Sequence, residues 1–338
     1  MDDSSLLPLH ALARATAHPA GPDGPCPCTV GLLADRDDGT VVRHGGLVLK
    51  SHAPGSDTAE LRARVETAAL PDLAEVLLPP LPGPRTAVDG RLVTGWPYGT
   101  PVDPADPESA PWEEAGRLLA LLHRTPAPPG LPAMRAPVKA ALAVDRMRRT
   151  APDHPATATV LRAWQGLQAP DGAAPAGSRG LCHGDFHLGQ LVRLTRPAAD
   201  PDPTPAPPWR LIDVDDLGLG DQVWDLARPA AWFAAGLLPP EVWSRFLGAY
   251  EAAGGPATAT PATVGPETAP ALAATTPTPD PWPRLDLPAR ALTVQTAALA
   301  LAKSTAEGRP LDEVEEVMID TCARIASLRT ELAPPAST

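Results

Sequence analysis

Residues 183–187 read HGDFH, two imidazoles and a carboxylate at alternating positions. In an extended chain residues i, i+2 and i+4 share a face, so His183, Asp185 and His187 could point at one metal ion. A closed or dinuclear metal site wants further histidines. His10, His18, His44, His52, His123 and His154 fall at expected strand ends, helix ends or termini, without ligand-like spacing among them. The thiols add nothing to that reading, because Cys26-Pro27-Cys28 is not a Cys-x-x-Cys pair and reads as two small residues entering a strand.

A phosphoryl-transfer reading uses more of the chain. It needs a loop Asp beside the acceptor hydroxyl, a carboxamide a few residues on, and a second Asp after a short hairpin to hold Mg²⁺. Asp185, Gln190 and Asp213 follow in that order. An ordinary Asp, with a pKa of about 3.9, is ionised at neutral pH. Asp185 can therefore take the hydroxyl proton late in a loose transition state without being a strong base. Lys50 would meet the α- and β-phosphates, tethered by a helix carboxylate. Lysine occurs only at 50, 139 and 303 and asparagine not at all, which singles out the Lys that ends the apolar run LVLK.

The elements that must position these residues are legible in outline. Residues 28–52 hold β-branched and Leu-rich runs separated by Asp-Asp-Gly and His-Gly-Gly, the pattern of three short antiparallel strands. A helix is expected over 57–70, capped by Asp57 or Thr58, with Leu61, Val65 and Ala68 or Ala69 on one face. Residues 91–99 return as a strand. From Trp112 the pattern turns helical: 112–124 has Glu113 and Glu114 in its first turn and His123 and Arg124 in its last. Further helices are expected near 137–149, 155–168, 224–236, 239–254, 289–303 and 311–328. Between 180–194 and 209–221 the six-proline stretch 195–208 reads as the tip of a hairpin, and the Ala/Thr/Pro-rich stretch 254–283 as disordered.

The two motif segments, HGDFHLGQL and LIDVDDLGLGDQVWDLA, resemble the catalytic stretch of the aminoglycoside phosphotransferase and choline kinase superfamily, a branch of the protein-kinase-like fold. The resemblance is specific over 183–228. It implies an α+β, two-lobed fold, with a small antiparallel-sheet lobe carrying one helix over 1–99 and a larger, mainly helical lobe over 100–338. It makes Asp185 the catalytic base and Asp213 the principal Mg²⁺ ligand, with Gln190 where the family usually has Asn and Asp215 as a second metal contact. Maltokinases, sugar kinases of the same superfamily, are similar in carrying HLGQ. His183 and Asp225 match the pair that braces the catalytic loop. Lys50 matches the nucleotide-phosphate lysine; its helix partner is Glu66 by the family pattern, favoured over Glu60, which already has an i,i+4 partner in Arg64. Gly95, Trp96 and Tyr98 lie in the hinge whose backbone would meet adenine. The implied cofactors are ATP and Mg²⁺, and the implied partner is a small-molecule hydroxyl acceptor.

Composition bounds the alternatives. A formal net charge of −12 argues against a nucleic-acid partner. No run approaches the length of a membrane span, and the acidic start is unlike a signal peptide, so a cytoplasmic protein is expected. The 46 prolines, against only 8 Trp, 3 Phe and 2 Tyr, mark long stretches outside helix and central strand. Arg146, Arg148 and Arg149 read as a solvated helix end, Trp224, Trp232 and Trp243 as core, and Asp216 as facing solvent. Three functions stay open: a small-molecule kinase, a tailoring kinase for Ser or Thr in a peptide, and a pseudokinase or binding module, the last favoured only by the acidic first hairpin ADRDDGT.

Overall fold

The computed structural model describes residues 3–21, 24–36, 38–82, 87–107, 110–167, 179–194, 208–258 and 280–332. Most of the two expected insertions, 195–207 and 259–279, lies outside these residues. In chain order the elements are α1 (Asp3–Ala17), β1 (Val30–Arg36), β2 (Gly39–His44), β3 (Leu47–His52), α2 (Thr58–Ala68), β4 (Ala87–Val88), β5 (Arg91–Pro97), β6 (Gly99–Pro101), α3 (Trp112–Arg124), α4 (Ala136–Thr150), α5 (Thr157–Leu167) and β7 (Arg179–Cys182). Then follow β8 (Leu191–Leu194), β9 (Trp209–Leu211), β10 (Gly218–Asp221), α6 (Ala227–Ala235), α7 (Pro240–Ala252), α8 (Trp282–Glu307) and α9 (Glu313–Leu332).

Two compact units form. The first comprises residues 1–111, 127–132 and 188–215, the second 112–126, 133–187 and 216–338. Segment 188–215 joins the first unit because β8 pairs antiparallel with both β6 and β9, and the Leu211 backbone bonds to Val76 and Leu78. Leu191 stands opposite Leu211, which is the expected hairpin in register.

The first unit is built on an antiparallel sheet of order β1-β2-β3-β5-β4. Side-chain alternation decides what β3 does. Leu47 and Leu49 are buried with Val42 and Val93 beneath Leu9 and Ala13 of α1, so Val48 and Lys50 take the opposite face. Helix α1 was not expected from the sequence; Pro8 lies inside it, and a proline there argues against a helix. Helix α2 starts as expected, with the Asp57 carboxylate accepting the amides of Ala59 and Glu60 at 2.8 and 3.0 Å.

The second unit is helical apart from the β7–β10 ladder. Its central helix α8 is longer than expected, 26 residues from Trp282 to a left-handed Gly308 cap, and α4, α5, α6 and α9 pack around it. Pro283 is tolerated in the first turn, where its missing N–H has no helical acceptor. No helix among the described residues is long and apolar enough to cross a membrane.

Helices α3 and α7 touch at Gly116, where an added Cβ would collide with the Phe246 carbonyl and come within 3.0 Å of the Tyr250 amide nitrogen. Gly116→Ala should cost about 1–3 kcal/mol by overpacking, although alanine is the better helix former. Urea unfolding checks this; an unchanged or raised stability would show that the two helices separate freely.

Candidate active site

The first unit gathers a cationic and carboxylate cluster around β3. Lys50 Nζ lies 2.5 Å from Asp213 Oδ1 and 3.1 Å from Asp215 Oδ2. Burial opposes the ammonium charge, but the two carboxylates outweigh it and raise the Lys50 pKa above the usual lysine range. Asp215 is likewise penalised by burial, yet Lys50 and His52 hold its carboxyl well below the ordinary carboxylate range. Among the described residues neither α2 carboxylate pairs with Lys50. Glu66 is exposed on its helix and Glu60 pairs with Arg64 at 3.1 Å, whereas the Lys50 ammonium meets Asp213 and Asp215. Asp213 sits at φ +63°, a left-handed conformation uncommon for a residue with a side chain.

His52 was missed in the sequence. It lies two residues beyond Lys50 on the same face of β3, and that spacing was the available signal. Its Nδ1 is 3.0 Å from Asp215 Oδ2 and its Nε2 2.8 Å from Thr94 Oγ1, which also accepts the Trp96 indole N–H at 2.9 Å. An indole only donates, so the Thr94 hydroxyl proton can go to His52 Nε2, leaving Nδ1–H for Asp215. Trp96 is thus spent inside the unit. So is the Tyr98 amide, which donates to Gly46 at 2.8 Å while the Arg43 guanidinium covers its ring, and the Gly95 carbonyl, which accepts from Leu81. These bonds reduce what the expected hinge can offer an adenine.

Gln190 is buried, with Nε2 3.5 Å from Asp213 Oδ2, which leaves its amide oxygen for another partner. Asp215 Oδ1 is buried without a hydrogen-bond partner among the described residues. A buried, unpartnered carboxylate oxygen beside a second carboxylate and a carboxamide oxygen is an all-oxygen donor set, and it fits a hard divalent cation such as Mg²⁺.

The second unit holds Asp185 between Lys139 Nζ and Arg228 Nη2, each at 2.7 Å. Lys139 also reaches Asp216 at 2.7 Å, and Arg135 lies 3.5 Å from the same carboxylate. Asp216 therefore does not face solvent as expected. Burial would raise the Asp185 pKa, but Lys139 and Arg228 hold it well below the ordinary carboxylate range; Lys139, penalised by the same burial, is held up at about 12 by Asp185 and Asp216. The rarity of lysine was the only sequence signal for Lys139. Beside this group lies a shallow cleft lined in part by Trp224, Leu292 and Gln295, so Trp224 is not simply core.

The backbone of this loop hangs on Asp225. Its carboxylate, 1% exposed, accepts the amides of His183 and Gly184 at 2.6 and 2.8 Å and lies 3.0 Å from His123 Nε2. His123 Nδ1 is 2.8 Å from the Tyr250 hydroxyl, which also accepts the Ala257 amide. Burial keeps the Tyr250 phenol protonated far above its usual range, so it can donate to Nδ1 and leave Nε2–H for Asp225. Gly184, at φ +83°, has no room for a Cβ against the Asp216 carbonyl. Among the described residues His183, Asp185 and His187 form no metal-ligand grouping.

A sequence model of the phosphotransferase enzyme family matches residues 32–266, well over half the chain. The chain belongs to that family. The fold agrees: a microcompartment-associated aminopropanol kinase superposes with a TM-score of 0.59 at 17% identity, covering 96% of this chain and 97% of that one. A choline/ethanolamine kinase family protein from Mesorhizobium loti gives 0.55 at 17% identity, with 97% and 95% covered. A thermostable mutant of an aminoglycoside phosphotransferase, in ternary complex with AMP-PNP and hygromycin B, gives 0.55 at 13%, with 93% and 98% covered. No curated protein matches the sequence. The protein is a phosphotransferase with the α+β fold of these kinases.

The ion pairs of Asp185 have a pH signature. A depressed folded pKa contributes stability above the unfolded value of about 3.9 and loses it as pH falls through the folded value. Lys139→Met should therefore destabilise the phosphotransferase by about 1–3 kcal/mol at neutral pH, and the gap to wild type should close in acid. Urea unfolding across the acid range tests this; a gap independent of pH would detach Lys139 from the ionisation of Asp185.

Proposed function

We propose that the protein is an ATP- and Mg²⁺-dependent kinase that moves the γ-phosphate to a hydroxyl group of a small molecule. The observation that carries this reading is the Lys50–Asp213–Asp215 cluster with its unpartnered buried Asp215 oxygen. Asp213, Asp215 and the Gln190 amide oxygen would hold the metal ion, and Lys50 would exchange its carboxylate partners for phosphate oxygens. When bound, Mg²⁺ neutralises charge on the β- and γ-phosphates.

Asp185 would accept the proton of the acceptor hydroxyl. Its two cations keep it ionised, which suits a late proton transfer, and they would add positive charge beside a transferring phosphoryl group. The Asp225 anchor fixes the backbone of His183 and Gly184, and with it the direction from which the Asp185 carboxylate is presented.

The acceptor class we favour is an amino alcohol, an amino sugar or a sugar. Support comes from the solved relatives, which carry in their names aminopropanol, choline or ethanolamine, and aminoglycoside. The cleft beside Asp185 supplies aromatic, apolar and amide groups from Trp224, Leu292 and Gln295, a lining suited to a small polar molecule.

Mg-ATP should raise the thermal unfolding midpoint, and Asp185→Ala should keep that response while lowering kcat about 10²–10⁴-fold on whichever acceptor a hydroxyl panel identifies. No thermal response to Mg-ATP would remove the kinase reading and leave a binding module. A variant that turns over normally would remove Asp185 as base, and turnover only on a Ser- or Thr-containing peptide would replace the acceptor class.

A further inference from the structure

Four side chains from three different segments converge in the first unit: His18, just past the end of α1; Cys26 and Cys28, on the segment entering β1; and His44, the last residue of β2. Their ligand atoms all lie within 4.8 Å of one another. His18 Nε2 is 3.2 Å from His44 Nε2, Cys26 Sγ 3.4 Å from His44 Nε2, and Cys28 Sγ 3.4 Å from His18 Nε2. Half of the chain's cysteines and a quarter of its histidines take part. The sequence reading found no ligand-like spacing among these residues; the fold brings them together.

Hydrogen bonding alone does not account for the arrangement. Each ring nitrogen has a single in-plane direction for a proton or a lone pair, yet each Nε2 faces both the other ring and a sulfur. One cation at the centre would satisfy all four at once. Zn–N bonds of 2.0–2.1 Å and Zn–S bonds of 2.3 Å give tetrahedron edges from about 3.3 Å between nitrogens to about 3.8 Å between sulfurs, and the three separations of 3.2, 3.4 and 3.4 Å lie close to that range, the other pairs lying within 4.8 Å. The two rings meet edge-on, with centroids 5.1 Å apart and planes at 79°, so that their Nε2 atoms rather than their faces approach.

We propose that His18, Cys26, Cys28 and His44 bind one zinc ion in a closed, structural Cys₂His₂ site. Two thiolates and two imidazoles favour zinc over the hard cations that suit the Asp213 cluster. Binding releases the two thiol protons to solvent, and the two thiolate charges balance the ion. Four protein ligands leave no open position, so the role is to fasten chain. The ion would tie the end of α1 and the 26–28 segment to the β2–β3 hairpin. That hairpin is shaped for the site: Gly45, at φ +62°, donates its amide to Thr29 at 2.8 Å, and a Cβ on it would stand 3.2 Å from Cys28 Sγ.

The test uses the full chain, made in zinc-replete medium and purified under reducing conditions without chelator. Elemental analysis should find one zinc per chain, and Cys26→Ser/Cys28→Ser should lose it. Since the double variant can also unfold, wild-type protein is stripped and refilled with Co²⁺, whose visible spectrum should show tetrahedral ligand-field bands and thiolate charge transfer. Stripping should also lower the thermal midpoint and speed hydrogen exchange in α1. Wild-type protein that retains no zinc and shows no tetrahedral Co²⁺ spectrum would overturn the proposal. So would unchanged zinc content in the double variant, or a Cys26–Cys28 disulfide as the form present under reducing conditions.

Discussion

The loop that carries Asp185 depends on one buried carboxylate. Asp225 is almost fully removed from water and makes up for the lost hydration with two backbone amides and an imidazole N–H. A buried carboxylate is costly unless its oxygens are filled, and here the groups that fill them belong to the segment whose shape matters. The left-handed Gly184 and the collision any side chain there would suffer follow from holding consecutive amides on one carboxylate. Losing Asp225 would therefore remove the template for the loop as well as a charge.

Both units solve the same problem in the same way. A carboxylate must be oriented by a histidine, and the histidine must carry its proton on the correct nitrogen. In the first unit Trp96 and Thr94 set His52 against Asp215; in the second Tyr250 sets His123 against Asp225. The outer groups never touch the site, yet each decides which ring nitrogen donates. The carboxylates then differ in use. Asp225 is saturated with donors, whereas Asp215 keeps one oxygen unpartnered among the described residues.

What could be read from sequence was what depends on local pattern. The first three strands, the Asp57 cap and the β8–β9 hairpin follow from turn residues and alternation, and all reappear in the fold. What escaped depends on pairing across long sequence separation. The β6–β8 ladder that assigns 188–215 to the first unit joins residues about as far apart in the chain as Gly99 and Leu194. The choice of Asp213 and Asp215 over Glu66 as partners of Lys50 is fixed by a backbone turn, and the approach of Lys139 to Asp185 by the packing of α4. Helix α1 escaped for the opposite reason: its local signal, with Pro8 inside, points away from helix, and burial of Leu9 and Ala13 on the sheet overrides it.

The scarcity of lysine reaches beyond the site. Lys50 and Lys139 are each clasped by two carboxylates, and their ammonium groups hold their protons far above neutral pH; Lys303 alone is exposed. Acylating reagents need an uncharged amine with room around it. Among the lysines only Lys303 is open to such reagents, so a dye or cross-linker aimed at lysine will mark one end of α8 and leave Lys50 and Lys139 untouched. The surface of this molecule is written in arginine, and its amines are kept for internal use.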